Sequence, residues 1–207
     1  MHRLIRFAAI AAVVAATVSC GTVVRTGRGS SFMVIDSLLG IRGAATLGTP
    51  SATLTSDVIT NVISPSPCSA TAPCPTVFAD LGTAQIRVVM KDAGSESPTT
   101  ATPINAITIT RYHVRYIRSD GRNTPGVDVP FEFDGTVTAT ASTTPASVGF
   151  SLVRVQAKQE APLVLLINSS TVFTLLAQVT FYGADQAGNV SSVTGSIDIN
   201  VGNFGDQ

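Results

Sequence analysis

The chain has no tryptophan, and aromatic residues occupy only 6% of its 207 positions. Carbohydrate-binding sandwiches usually stack sugars on Trp or Tyr, so this scarcity argues against a sugar platform. Charge is also sparse, with 13 basic and 13 acidic residues and no formal net charge. Nucleic acid is therefore not an expected partner, because phosphate recognition needs a basic surface. Only two histidines and three cysteines are present. Cys68, Cys74 and His113 fall short of the four ligands of a structural zinc site, so neither a metal nor a cofactor is expected. There is no Gly-x-Ser-x-Gly elbow, no phosphate-cradling glycine loop and no His/Glu zinc motif. These gaps leave little material for catalysis, and the chain is expected not to be an enzyme.

What is present begins with Arg3 and Arg6, followed by an apolar run from Phe7 to Val18 and then Cys20. The run is shorter than the roughly 20 apolar residues that span a bilayer. Its layout is that of a secretory signal peptide covering residues 1–19. Thr17-Val-Ser-Cys20 resembles the lipobox of bacterial lipoproteins, whose cysteine takes a diacylglycerol on sulfur and becomes the new N-terminus. The resemblance implies a lipid anchor at Cys20 in the cell envelope, and Gly21 in place of Asp implies the outer membrane. The alternative is ordinary cleavage between small residues and a soluble secreted protein. Residues 20–31 then read as lipidated cysteine and flexible tether.

The rest of the chain is long enough for one sizeable core or two small ones. Abundant Gly, Ser, Thr and Pro, with few charges, is the composition of an exported all-β protein. Ser64-Pro-Ser-Pro-Cys-Ser-Ala-Thr-Ala-Pro-Cys-Pro75 is too proline-rich for helix or central strand. In an oxidising compartment Cys68 and Cys74 are expected to form a disulfide closing a small loop. A redox role is the other possibility, although the spacing is not Cys-x-x-Cys.

Alternation of period two marks the strands. Phe32–Leu39 is apolar enough for one, and Leu54–Ile63 is a weaker candidate. Ala84, Ile86, Val88 and Met90 form a clear stripe, as do Phe131, Phe133, Val137 and Ala139. Phe173, Leu175, Ala177, Val179 and Phe181 form another, and Val193, Ile197, Ile199 and Val201 the last. In Ile107–Ile117 the apolar parity switches between Ile109 and Tyr112, which predicts a bulge near Thr110 or Arg111. Val148–Ala157 also switches and is expected to be a strand with a bend. Pro162–Ile167 is a buried strand or a connection across the core. No segment after the leader shows helical period, and short strands between Gly, Pro, Asn and Asp turns indicate a β-sandwich.

Two segments carry a family resemblance. Ile109-Thr-Arg-Tyr-His-Val-Arg-Tyr-Ile-Arg-Ser-Asp-Gly121 resembles the third strand and following turn of fibronectin type III and bacterial immunoglobulin-like domains. Val179-Thr-Phe-Tyr-Gly-Ala-Asp-Gln-Ala-Gly-Asn-Val-Ser191, with Ile197–Val201, is similar to their last hairpin. The resemblance implies an antiparallel immunoglobulin-like sandwich over residues 83–207, with residues 32–82 as an N-terminal extension that holds the disulfide loop and packs on the sandwich.

Regular alternation from Arg111 places Arg111, His113 and Arg115 on one outward face, with Arg118 and Arg122 just beyond. Such a stripe fits an acidic protein, lipid headgroups or an anionic polysaccharide; the plainer alternative is a solvated face that discourages aggregation. Asp185 and Asn189 offer oxygens to calcium or make their own turn. The expected function is a lipid-anchored, non-enzymatic envelope module that binds a protein partner or builds an assembly. The alternatives are a sugar- or peptide-binding module and a hydrolase using His113.

Overall fold

The computed structural model describes residues 29–204. The leader, Cys20 and most of the tether lie outside the described residues. The described chain is all-β, with 52% strand and 7% helix. Ten strands run in order: β1 (Ser31–Ile41), β2 (Thr53–Asp57), β3 (Thr60–Val62), β4 (Cys74–Thr76), β5 (Asp80–Met90), β6 (Ile107–Ile117), β7 (Phe133–Ala141), β8 (Ala146–Val153), β9 (Phe173–Asp185) and β10 (Val190–Gly202). One large sheet has the order β1-β5-β8 and the other β2-β10-β9-β6-β7, while β3 and β4 pair as a small antiparallel hairpin. Every pairing within them is antiparallel except β2 on β10. The five-stranded sheet curls into a half-barrel.

Alternation builds this arrangement because each sheet buries one face. Ala84, Ile86 and Val88 of β5 point inward against Leu175, Ala177, Val179 and Phe181 of β9 and Ile197, Ile199 and Val201 of β10, all within one core, and Met90 is buried at the end of the β5 stripe. Between the sheets, Tyr112 and Phe181 meet Phe150, with Tyr112 and Phe150 centroids 5.5 Å apart and Phe150 edge-on to Phe181 at 5.3 Å, while Phe133 stands edge-on to Tyr112 at 6.2 Å. Gly82 and Gly135 make this cluster possible. A Cβ at Gly82 would sit 2.2 Å from the Phe150 ring, and one at Gly135 2.2 Å from that of Tyr112.

The register of β6 shifts between Ile109 and Arg111 against both β7 and β9. The irregularity places Ile107, Ile109, Tyr112, Val114 and Tyr116 all inside, as the parity switch requires. β1 and β2 lie at sheet edges, β1 along β5 and β2 along β10. The division drawn between residues 82 and 83 falls inside β5.

Two expectations need correction, and the choice left open for Pro162–Ile167 falls to the connection rather than the strand. Val148–Ala157 is not one bent strand: β8 ends at Val153, and Val155–Gln159 forms a short helix, α1. Pro162–Ile167 contains a 3-10 turn at Leu163–Leu166 that buries Leu163 and Leu166. Phe131 does not extend the β7 stripe, because the strand begins at Phe133 and Phe131 is 52% exposed. The disulfide forms as expected, linking Cys68 and Cys74 across the β3–β4 connection with Cα atoms 5.3 Å apart. No helix among the described residues is long and apolar enough to cross a membrane.

Candidate functional site

The outer face of the five-stranded sheet is built from the outward alternates of β6, β7, β9 and β10. Many are threonine or serine, a choice that suits strand geometry while keeping the face wet. Hydroxyls couple neighbouring strands, with Thr180 and Thr194 2.8 Å apart and Thr174 donating to Asn200 at 2.8 Å.

Arg111, His113 and Arg115 interrupt this neutral field, and the structure brings them together on the outward side of β6, between β7 and β9. The stripe is not purely basic. Arg111 donates to Asp134 at 3.2 Å, and its guanidinium lies 4.1 Å above the Tyr182 ring. The His113 imidazole sits between two carboxylates, Nε2 3.5 Å from Glu132 and Nδ1 3.4 Å from Asp134. Arg115 makes no ion pair among the described residues. It lines a cleft of about 350 Å³ with Asn123, Pro125, Val129, Pro130 and Glu132, where the β6–β7 connection folds back.

That connection carries its own charge cluster. Asp120 accepts from both Arg118 and Arg122, and the Arg118 side chain holds the Asp120 carboxyl down at about 2, below the usual range. Arg118 also stacks 4.4 Å over Phe173. The two arginines beyond the stripe are therefore already matched by an acid. Val127 and Phe131 stand exposed on the same connection.

The carboxylates on the face were legible in principle. Glu132 and Asp134 alternate outward in the β7 pattern, but only the β6–β7 pairing places them against His113. The imidazole thus has a carboxylate on either side. At the β9–β10 turn, burial pushes the Asp185 carboxyl up, but hydrogen bonds from the Asn189 side chain and from the Asn189, Ala187 and Gly188 backbone outweigh it and lower its pKa. Asp185 and Asn189 thus make their own turn, with Gly188 at φ +82°. Among the described residues no group of three or more His, Cys, Asp and Glu side chains is arranged to hold a metal.

A second polar cluster lies inside the protein. Lys158 of α1 and Asp80 at the start of β5 form a salt bridge of 2.8 Å with both side chains fully buried. Asp80 Oδ2 also accepts from Ser56 Oγ at 2.6 Å, and Oδ1 from the Gly43 backbone N–H at 2.8 Å. Lys158 Nζ donates to the Asp57 backbone carbonyl at 2.8 Å. The Asp57 carboxylate is buried too and pairs with Arg42 at 2.7 Å. Burial pushes the Lys158 amine below its usual range, while Asp80 and Asp57 oppose the shift. Asp80 lies in phase with Gly82, Ala84 and Ile86, so the alternation of β5 carried back two steps points its side chain inward. Lys158 has no comparable sequence signal.

No family model matches the chain, and neither a curated protein nor a solved structure does.

Proposed function

We propose that the chain is an exported, non-enzymatic module of the cell envelope, lipid-anchored at Cys20 to the outer membrane, that binds a protein partner through the outer face of β6. The observation that carries this reading is the row Arg111, His113 and Arg115 beside Glu132, Asp134 and Tyr182, opening into the cleft at Arg115. Exposed ion pairs contribute only about 0–1 kcal/mol each to a fold, so stability gives little reason to concentrate them here. Arginine and aromatic side chains with matched acids are the groups on which protein interfaces concentrate binding energy. The mixed signs fit a partner of alternating charge better than a uniformly acidic polymer.

An immunoglobulin-like identity for the fold belongs to this reading. The orders β1-β5-β8 and β10-β9-β6-β7 support it, since such sandwiches set their first, second and fifth strands against their third, sixth and seventh. The test is co-purification after mild detergent extraction of the envelope. Wild-type protein is expected to retain a defined partner that Arg111→Ser with Arg115→Ser loses, while the variant remains folded by circular dichroism. An unchanged set of co-purifying proteins would remove the β6 face from the proposal. A His113→Ala protein that lost a hydrolytic activity present in the wild type would replace the proposal with the enzyme alternative.

A further inference from the structure

The buried pair does not resemble a stabilising salt bridge. Taking an ammonium and a carboxylate out of water costs several kcal/mol per ion, and their attraction rarely repays more than that. Fully buried Lys158 and Asp80 nevertheless meet at 2.8 Å in a site that places a hydrogen-bond donor on each carboxyl oxygen. The same arrangement suits acyl chemistry. Donors on both oxygens polarise a carboxyl carbon and stabilise negative charge developing on it. An amine held in place by the Asp57 carbonyl is a pre-positioned nucleophile, and such positioning contributes effective molarities of about 10⁵ M or more. The side-chain groups nearby are Ser56, which donates to Asp80, and the Asp57–Arg42 ion pair.

We propose that Lys158 and Asp80 condense into an intramolecular amide, Nζ to Cγ, that ties α1 covalently to β5. A proton first passes from the Lys158 ammonium to Oδ2 of the Asp80 carboxylate, leaving a neutral amine and a neutral acid. The Nζ lone pair then attacks Cγ. In the tetrahedral intermediate the Gly43 N–H faces Oδ1, on which negative charge develops, and the Ser56 hydroxyl faces Oδ2. A second proton moves from nitrogen to Oδ2, the Cγ–Oδ2 bond breaks, and one water leaves. No oxidant, reductant or added acyl donor is needed, and the product replaces two buried charges with one neutral amide.

Proteolysis of the full-length protein followed by tandem mass spectrometry, after reduction and alkylation of the disulfide, tests this directly. The expected product is a branched peptide joining the Lys158 and Asp80 segments, lighter by one water than the sum of its two linear parts, with trypsin unable to cut after Lys158. The branch is expected to vanish in Lys158→Arg and in Asp80→Ala. Recovery of the two segments from folded wild-type protein only as separate linear peptides, with cleavage after Lys158, would overturn the proposal and leave a salt bridge only. Should either variant fail to fold, the wild-type digest decides alone.

Discussion

At the residue scale, hydrogen bonds to buried groups decide more than surface charges. Tyr116 is almost completely buried, and its hydroxyl donates to the Leu152 carbonyl at 2.7 Å, joining β6 of one sheet to β8 of the other. Burial pushes its phenol far above the ordinary range, so it stays a donor at every working pH. Tyr116→Phe leaves that carbonyl without its partner and is expected to lower stability by about 1–2 kcal/mol in urea unfolding. Asp120 behaves differently because it is exposed. Its carboxyl, held at about 2 by Arg118, binds fewer protons in the folded state than in the unfolded one. Whatever stability it contributes is present above the ordinary carboxylate pKa and is lost as pH falls through about 2. Carboxyl NMR titration should show this low midpoint, and Arg118→Ala should move it up toward the ordinary value.

At the element scale, strands were legible where one face is buried and unclear where pairing is local or short. The β5 and β9 stripes stand out because every second side chain enters the core. The parity switch in β6 was just as legible, since tyrosines and isoleucines both demand burial and only a register irregularity satisfies them. α1 spans five residues, too few for a helical period to emerge, so Val155 and Ala157 looked like strand alternates. Phe131 misled for a related reason: the alternation runs on past Pro130, although pairing starts only near Phe133. The disulfide closes a short connection outside both large sheets. Replacing both cysteines with Ser is expected to cost at most about 2.5 kcal/mol and to leave the far-UV signature of the eight-stranded body unchanged. A larger loss would mean that the hairpin supports the sandwich rather than itself.

At the scale of the whole molecule, the two sites lie in different environments. The charged stripe faces solvent on the five-stranded sheet, whereas Asp80, Lys158 and Ser56 are buried where β2, β5 and α1 meet. Composition revealed the all-β body, and alternation exposed the stripe. The buried pair stayed hidden because its members are far apart in sequence and nothing in the residue types announces burial of a lysine. Residues 32–82 supply one edge strand of each large sheet, so this part of the chain is interwoven with the remainder.

The proposed export and anchoring at Cys20 would place every other part of the proposed function in the envelope. Metabolic labelling with a radiolabelled fatty acid, followed by immunoprecipitation, tests that placement most directly. Wild-type protein should carry the label and partition with membranes, and Cys20→Ala should carry none. Equal label in the two proteins, or none in either, would contradict the lipid anchor.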